Sequence, residues 1–168
     1  MTPAKPRQPT LRFLFAHPAH FIALGFGAGL SPVAPGTFGT LVALPIAAAL
    51  RAYATDAAYI AVVIGGFAVG TWAAQRTGRA LGEGDHGAIV VDEIVAFLLV
   101  LFFTGADPVR DAFAFLLFRA FDIAKPPPAR TIDSRWHGGV GVMADDLVAA
   151  LYTLLVLALW QWLQAFTR

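Results

Sequence analysis

The sequence predicts an all-α, polytopic membrane bundle of roughly four to five apolar helices, with an acidic site at one end. Three observations carry that expectation. Hydrophobic residues make up 58% of the 168 positions and charged residues only 14%, whereas soluble domains are about 45–50% apolar and about 25% charged. The apolar residues gather into five segments, roughly 37–50, 57–74, 88–103, 112–121 and 147–163. Glycine and proline cluster between them, in 25–36, 77–87 and 123–141. The length suits one domain large enough for a core.

Taken in order, residues 1–17 carry Lys5, Arg7 and Arg12 among Pro3, Pro6 and Pro9, and read as a basic, flexible cytoplasmic tail. The apolar run 13–16 is too short for a signal-peptide core. His17 and His20 mark the tail's approach to the interface, and residues 18–168 form a single membrane domain. The second, third and fifth apolar segments approach the roughly 17–25 residues of a spanning helix. The first and fourth are short enough to tilt, half-cross or lie buried in the bundle. All five are apolar nearly all round, as helices facing lipid and each other must be.

Basic residues orient the bundle. If all five segments cross and the N-terminus lies inside, the inner regions carry Lys5, Arg7, Arg12, Arg76, Arg79, Arg119, Lys125, Arg130 and Arg135. Only Arg51, Arg110 and Arg168 lie outside. That is a positive-inside bias. The same arrangement brings all three glycine-rich loops to the cytoplasmic side, as a composite site requires.

Charge and cysteine content exclude several functions. A net charge of +1 excludes a nucleic-acid binder driven by bulk charge. Without cysteine, the chain has no disulfide, zinc–thiolate or cysteine-nucleophile chemistry. Neither a D-x-D-x-T nor a P-S-G-H phosphatase motif occurs.

The acidic residues are the informative ones. Asp56, Asp107 and Asp111 fall near the outer face, where a solvated loop role suffices, while Glu83, Asp85, Asp92, Glu93, Asp122, Asp133, Asp145 and Asp146 fall on the inner side. "AIVVDEIVAFLLVLFF" embeds Asp92 and Glu93 in an apolar run. A carboxylate deep in a bilayer helix costs about 2.5–3.5 kcal/mol and persists where it faces a cavity, an ion or a partner charge; at headgroup level it is merely hydrated. "FRAFDIAKPPP" spaces Arg119, Asp122 and Lys125 three apart, on one face if the helix runs that far, though Pro126 argues that it stops at Lys125.

In "HGGVGVMADD", Gly138, Gly139 and Gly141 allow backbone amides to approach an anion at a helix N-terminus. Two readings compete for Asp145 and Asp146: an N-cap with a first-turn acid, or ligands of a divalent cation. A phosphate and two bare aspartates coexist only with such a cation between them, and Mg2+ takes carboxylate and phosphate oxygens. "GAGLSPVAPGTFGTL" supplies a second helix N-terminus with Ser31, Thr37 and Thr40, although turn chemistry alone explains its glycines and prolines. His86 and His137 lie in inner loops and could act as acid or base near pH 7.

Four stretches together, "GFGAGLSPVAPGTFGTL", "DHGAIVVDEIVAF", "FRAFDIAKPPP" and "HGGVGVMADDLVAAL", resemble the phosphatidylglycerophosphatase A family in order and spacing, over roughly residues 23–163. The resemblance implies magnesium-dependent hydrolysis of phosphatidylglycerophosphate to phosphatidylglycerol and phosphate in the bacterial inner membrane, with the site facing the cytoplasm. It implies an acidic metal centre of Asp92, Glu93, Asp122, Asp145 and Asp146 with Lys125 beside it. On that reading Glu93, Asp122, Asp145 and Asp146 hold Mg2+, Asp92, Glu93, Asp122, Lys125 and Asp146 act in catalysis, and Thr37, Arg119, Lys125, Gly138, Gly139 and Gly141, with Arg135 as a further cation, receive the phosphate. The competing reading is a transporter or ion-binding membrane protein, which predicts acids spread through the bilayer depth rather than gathered at one end.

Overall fold

The computed structural model describes residues 8–127, 136 and 138–166, and these form helices with no strand. Thr10 caps α1 (Leu11–Ala16) by accepting from the Phe13 amide. His17 breaks the chain and caps α2 (Pro18–Ala23), its Nδ1 accepting from the Ala19 amide at 3.0 Å. The tail expected over 1–17 is therefore structured from Thr10 onward. Buried Leu14 and Leu24 pack with Ala88 and hold this segment to the bundle, a tertiary anchor that the prolines did not advertise.

A 3-10 segment, Gly25–Leu30, leads into α3 (Pro35–Tyr53), and Thr55 caps α4 (Asp56–Leu81). Next come α5 (Val91–Thr104), α6 (Pro108–Ala124) capped by Asp107, and α7 (Gly139–Phe166). Three helices, Pro35–Tyr53, Asp56–Leu81 and Gly139–Ala165, are long and apolar enough to cross a bilayer. The protein is thus a helical membrane protein.

Two segment lengths differ from expectation. The first, expected to be short, spans 19 residues because Pro35 starts the helix ahead of the apolar run; proline favours the first helical turn. The third, expected to approach spanning length, is only 14 residues long. The Ala88, Ile89 and Val90 amides bond instead to His86 Nδ1, the His86 carbonyl and the Ala23 carbonyl, so the helix starts late. Gly105, at φ 69°, ends it.

Short α5 is the axis of the bundle. It packs against α3, α4, α6 and α7, and Val91, Ile94, Val95, Phe97, Leu98 and Leu101 are all buried. Its all-round apolarity is therefore that of a core helix. The long helices alternate in direction around it. Tyr59, at the start of α4, donates to the Leu98 carbonyl at 3.0 Å, and Arg51, at the end of α3, donates to the Leu101 carbonyl. Arg51 also pairs with Asp111 at 2.7 Å, and Thr104 donates to Asp111 at 2.5 Å. Asp111, expected to be solvated, instead ties three helix ends together. At the opposite end lie the starts of α3, α5 and α7 and the finishes of α4 and α6, so the glycine-rich loops share one end as expected.

Candidate active site

The first turn of α5 supplies Asp92 and Glu93. Asp145 and Asp146 come from α7, nearly two turns beyond its first residue Gly139. This removes the N-cap reading, because capping acts at the helix boundary. Arg119 and Asp122, three apart on α6, share a face, and α6 ends at Ala124 as Pro126 predicts. Lys125 takes the left-handed conformation (φ 43°), which carries its side chain off the α6 face and onto α7.

Asp92, Glu93 and Asp146 each offer an oxygen, and these oxygens lie within 4.8 Å of one another. Asp92 and Asp146 are buried and Glu93 is half-buried. Asp92 Oδ1, Glu93 Oε2 and Asp146 Oδ2 are buried with no hydrogen-bond partner among the described residues. Arg119 Nη1 sits 2.5 Å from Asp122 Oδ2 and 3.7 Å from Glu93 Oε1. It also donates to Thr40 Oγ1 at 3.4 Å, and Thr40 in turn donates to the Gly36 carbonyl at 2.8 Å. Lys125 Nζ pairs with Asp145 Oδ2 at 2.6 Å.

The expected acids therefore converge, in two tiers. Asp92, Glu93 and Asp146 form the inner cluster, while Asp122 and Asp145 each hold a cation against it. The ligand set implied by the resemblance, Glu93, Asp122, Asp145 and Asp146, shares Glu93 and Asp146 with this inner cluster. Five carboxylates face two cations here, among the described residues. Buried charge needs a partner, so carboxylates this close, each with an orphaned oxygen, repel one another and suit a hard divalent cation, which takes oxygen ligands.

The backbone of α3 closes the site from the other side. A Cβ on Gly36 would stand 2.1 Å from Glu93 Oε1 and 3.1 Å from Arg119 Nη1, so only glycine lets this helix start approach. Thr37 follows in the same turn, half-buried. Gly36 escapes a reading of the sequence because its loop looks like ordinary turn chemistry.

The α7 glycines, expected to receive the phosphate, also make close backbone contacts. Gly139 donates its amide to Gln75 Oε1 at 2.6 Å. A Cβ on Gly139 would meet the Thr71 carbonyl at 2.0 Å, one on Gly138 would meet Gln75 Oε1 at 2.1 Å, and one on Gly141 would meet the Trp136 carbonyl at 1.9 Å. These glycines press α7 against α4 and the preceding loop, and the Gly139 amide is already engaged. Gln75 was missed, its only signal being a lone amide just past an apolar run. His86 is buried, accepting from the Ala88 amide in the turn before α5, while Glu83 and Asp85 stay exposed. Arg130, Asp133, Arg135 and His137 lie outside the described residues.

Fold and site together define a class: a polytopic helical membrane protein with a carboxylate-rich centre at one end of its bundle. The model of the family described as phosphatidylglycerophosphatase A matches residues 21–161. The chain belongs to that family, the one its four motifs resemble, and is a phosphatase. It is 39% identical to the phosphatidylglycerophosphatase A of Escherichia coli, over 83% of this chain and 81% of that one. It is 36% identical to the phosphatidylglycerophosphatase A of Haemophilus influenzae, over 92% and 96%. A Bacteroides thetaiotaomicron protein named as a candidate phosphatidylinositol-3-phosphatase is 41% identical over 84% of this chain and 92% of its own. No solved structure matches the chain.

Proposed function

We propose that the protein hydrolyses the terminal phosphomonoester of phosphatidylglycerophosphate in a bacterial inner membrane, with Mg2+ as cofactor and the site facing the cytoplasm. The observation that carries this reading is the inner cluster of Asp92, Glu93 and Asp146 with its unpartnered oxygens, flanked by two cations. Asp92, Glu93 and Asp146 would hold the ion. When bound, Mg2+ supplies Lewis acidity and offsets the charge of the phosphate.

The remaining chemistry belongs to the chain. Monoester hydrolysis passes through a transition state with charge spread over the non-bridging oxygens, so catalysis is positioning plus charge stabilisation. Arg119 presents a guanidinium fork to those oxygens and Lys125 a point charge. Asp122 and Asp145 hold these two cations in place until substrate competes for them. Water attacks phosphorus, the bond between phosphorus and the glycerol oxygen breaks, and inorganic phosphate and the lipid alcohol leave. A carboxylate of the cluster takes the proton of the attacking water, and the departing alkoxide recovers one. Apolar helix surface accommodates the lipid tails, which fixes the headgroup at the lip of the bundle.

Phosphate release from phosphatidylglycerophosphate, measured with and without Mg2+, tests this. Activity should require the ion, and Asp146→Asn or Glu93→Gln should each reduce turnover at least about 100-fold, since even outer-shell partners of a metal site cost 10–100-fold. Undiminished turnover in both variants would remove the assignment. Phosphatidylinositol 3-phosphate, offered in the same assay, is the competing monoester that the Bacteroides relative's name points to; preferential hydrolysis of it would change the substrate but not the chemistry.

A further inference from the structure

A cavity opens at the same end of the bundle, on the side of α4 that meets α2. It measures about 460 Å3 and is lined by His20, Trp72, Gln75, Arg76, Arg79 and Ala80, none of which belongs to the acid cluster. At 26 residues, α4 is ~39 Å long, longer than the ~30 Å hydrocarbon core. Its last turns therefore stand at headgroup level. There Trp72, Arg76 and Arg79 recur at i, i+4 and i+7, along one face, and all three are exposed. The Trp72 ring lies against His17, centroids 6.0 Å apart.

Neither arginine forms an ion pair among the described residues, and Glu83, which shares an adjoining cleft with Arg79, forms none either. His20 lies at the cavity wall with Nδ1 bonded to Thr77 Oγ1 at 2.9 Å. Burial, followed by His17 and Arg76, holds its ring below the usual histidine range, which leaves the arginines as the cavity's cations at neutral pH. Paired guanidinium groups recognise phosphate oxygens by geometry as well as charge. Tryptophan prefers the interface, and basic pockets between helices accept anionic headgroups.

We propose that this cavity binds the headgroup phosphate of an anionic phospholipid, at a site separate from the carboxylate cluster. The inference goes beyond the phosphatase reading and does not depend on it. Its link to activity is Gln75, which lines the cavity and also accepts from Gly139 at 2.6 Å. A lipid seated there therefore lies beside the start of the helix that carries Asp145 and Asp146, without touching the acids.

The test reconstitutes the full chain in phosphatidylcholine vesicles containing phosphatidylglycerol, and counts co-purifying lipids by native mass spectrometry after gentle detergent extraction. The unsubstituted protein should retain phosphatidylglycerol over phosphatidylcholine. The double variant Arg76→Gln/Arg79→Gln should lose about thirtyfold of that preference, as removal of two interfacial cations implies. Ala80→Glu adds a repelling carboxylate to the lining and removes no contact, so it should act in the same direction. Both should keep phosphate release from detergent-dispersed substrate within about twofold of the parent, because only the cavity changes. Unaltered lipid preference in both variants would overturn the proposal. So would displacement of the retained lipid by millimolar inorganic phosphate, which would assign the cavity to the free anion.

Discussion

At the scale of single residues, the centre was legible where chemistry and surroundings disagree. Asp92 and Glu93 stand out because carboxylates are costly inside an apolar run, and both prove to line the cluster. The division of labour was less readable. Asp122 and Asp145 look equivalent to the inner acids in one dimension, and only packing shows that each spends its charge on Arg119 or Lys125. Gly36 is the clearest omission, since close approach of backbone to a side chain leaves no trace in composition. Gly36→Ala should cost about 100-fold in turnover, the scale set by an ångström of misplacement at a reacting centre, because the added methyl must displace Glu93 or Arg119. Gly84→Ala is the matched control, with open space around its Cβ position. Parallel phosphate-release assays should separate the two; equal activity would mean that α3 yields without moving the acids.

At the scale of helices, boundaries set by proline were readable and those set by packing were not. Pro126 stops α6 at Ala124, two residues ahead of it, and Pro35 opens α3. The start of α7 defied expectation because "GGVG" has loop composition. It becomes helix because bare glycine backbone fits against Thr71 and Gln75 of α4, so tertiary contact overrides a poor propensity of roughly 1 kcal/mol per glycine. Gln75 thus acts as a remote cap for α7. Gln75→Leu, which keeps the bulk but leaves the Gly139 amide unsatisfied, should lower unfolding free energy by about 1–3 kcal/mol. Denaturant titration in micelles measures this, and an unchanged midpoint would show that water substitutes for the amide. Turnover should drop in the same variant, since Asp145 and Asp146 ride on the helix it anchors.

At the scale of the whole molecule, the arrangement of loops was the most legible feature, because cations bias topology directly. Arg76, Arg79, Arg119 and Lys125 all lie at the site end, and Arg51 and Arg110 at the other. The chain has no cysteine, so introduced thiols report sidedness without background. In intact cells Tyr53→Cys, at the 93% exposed last position of α3, should react with an impermeant maleimide. Glu83→Cys should react only after lysis; the reverse pattern would invert the bundle. Helix depth, by contrast, was misjudged at α5. Its 14 residues reach only ~21 Å, some 9 Å short of a typical hydrocarbon slab. Enclosed by α3, α4, α6 and α7, its first turn holds the acids inside the bundle, away from lipid. Catalysis should then be indifferent to acyl-chain length: in vesicles of progressively longer lipids, turnover should hold, and a steep decline would mean that the bilayer itself reaches the acids.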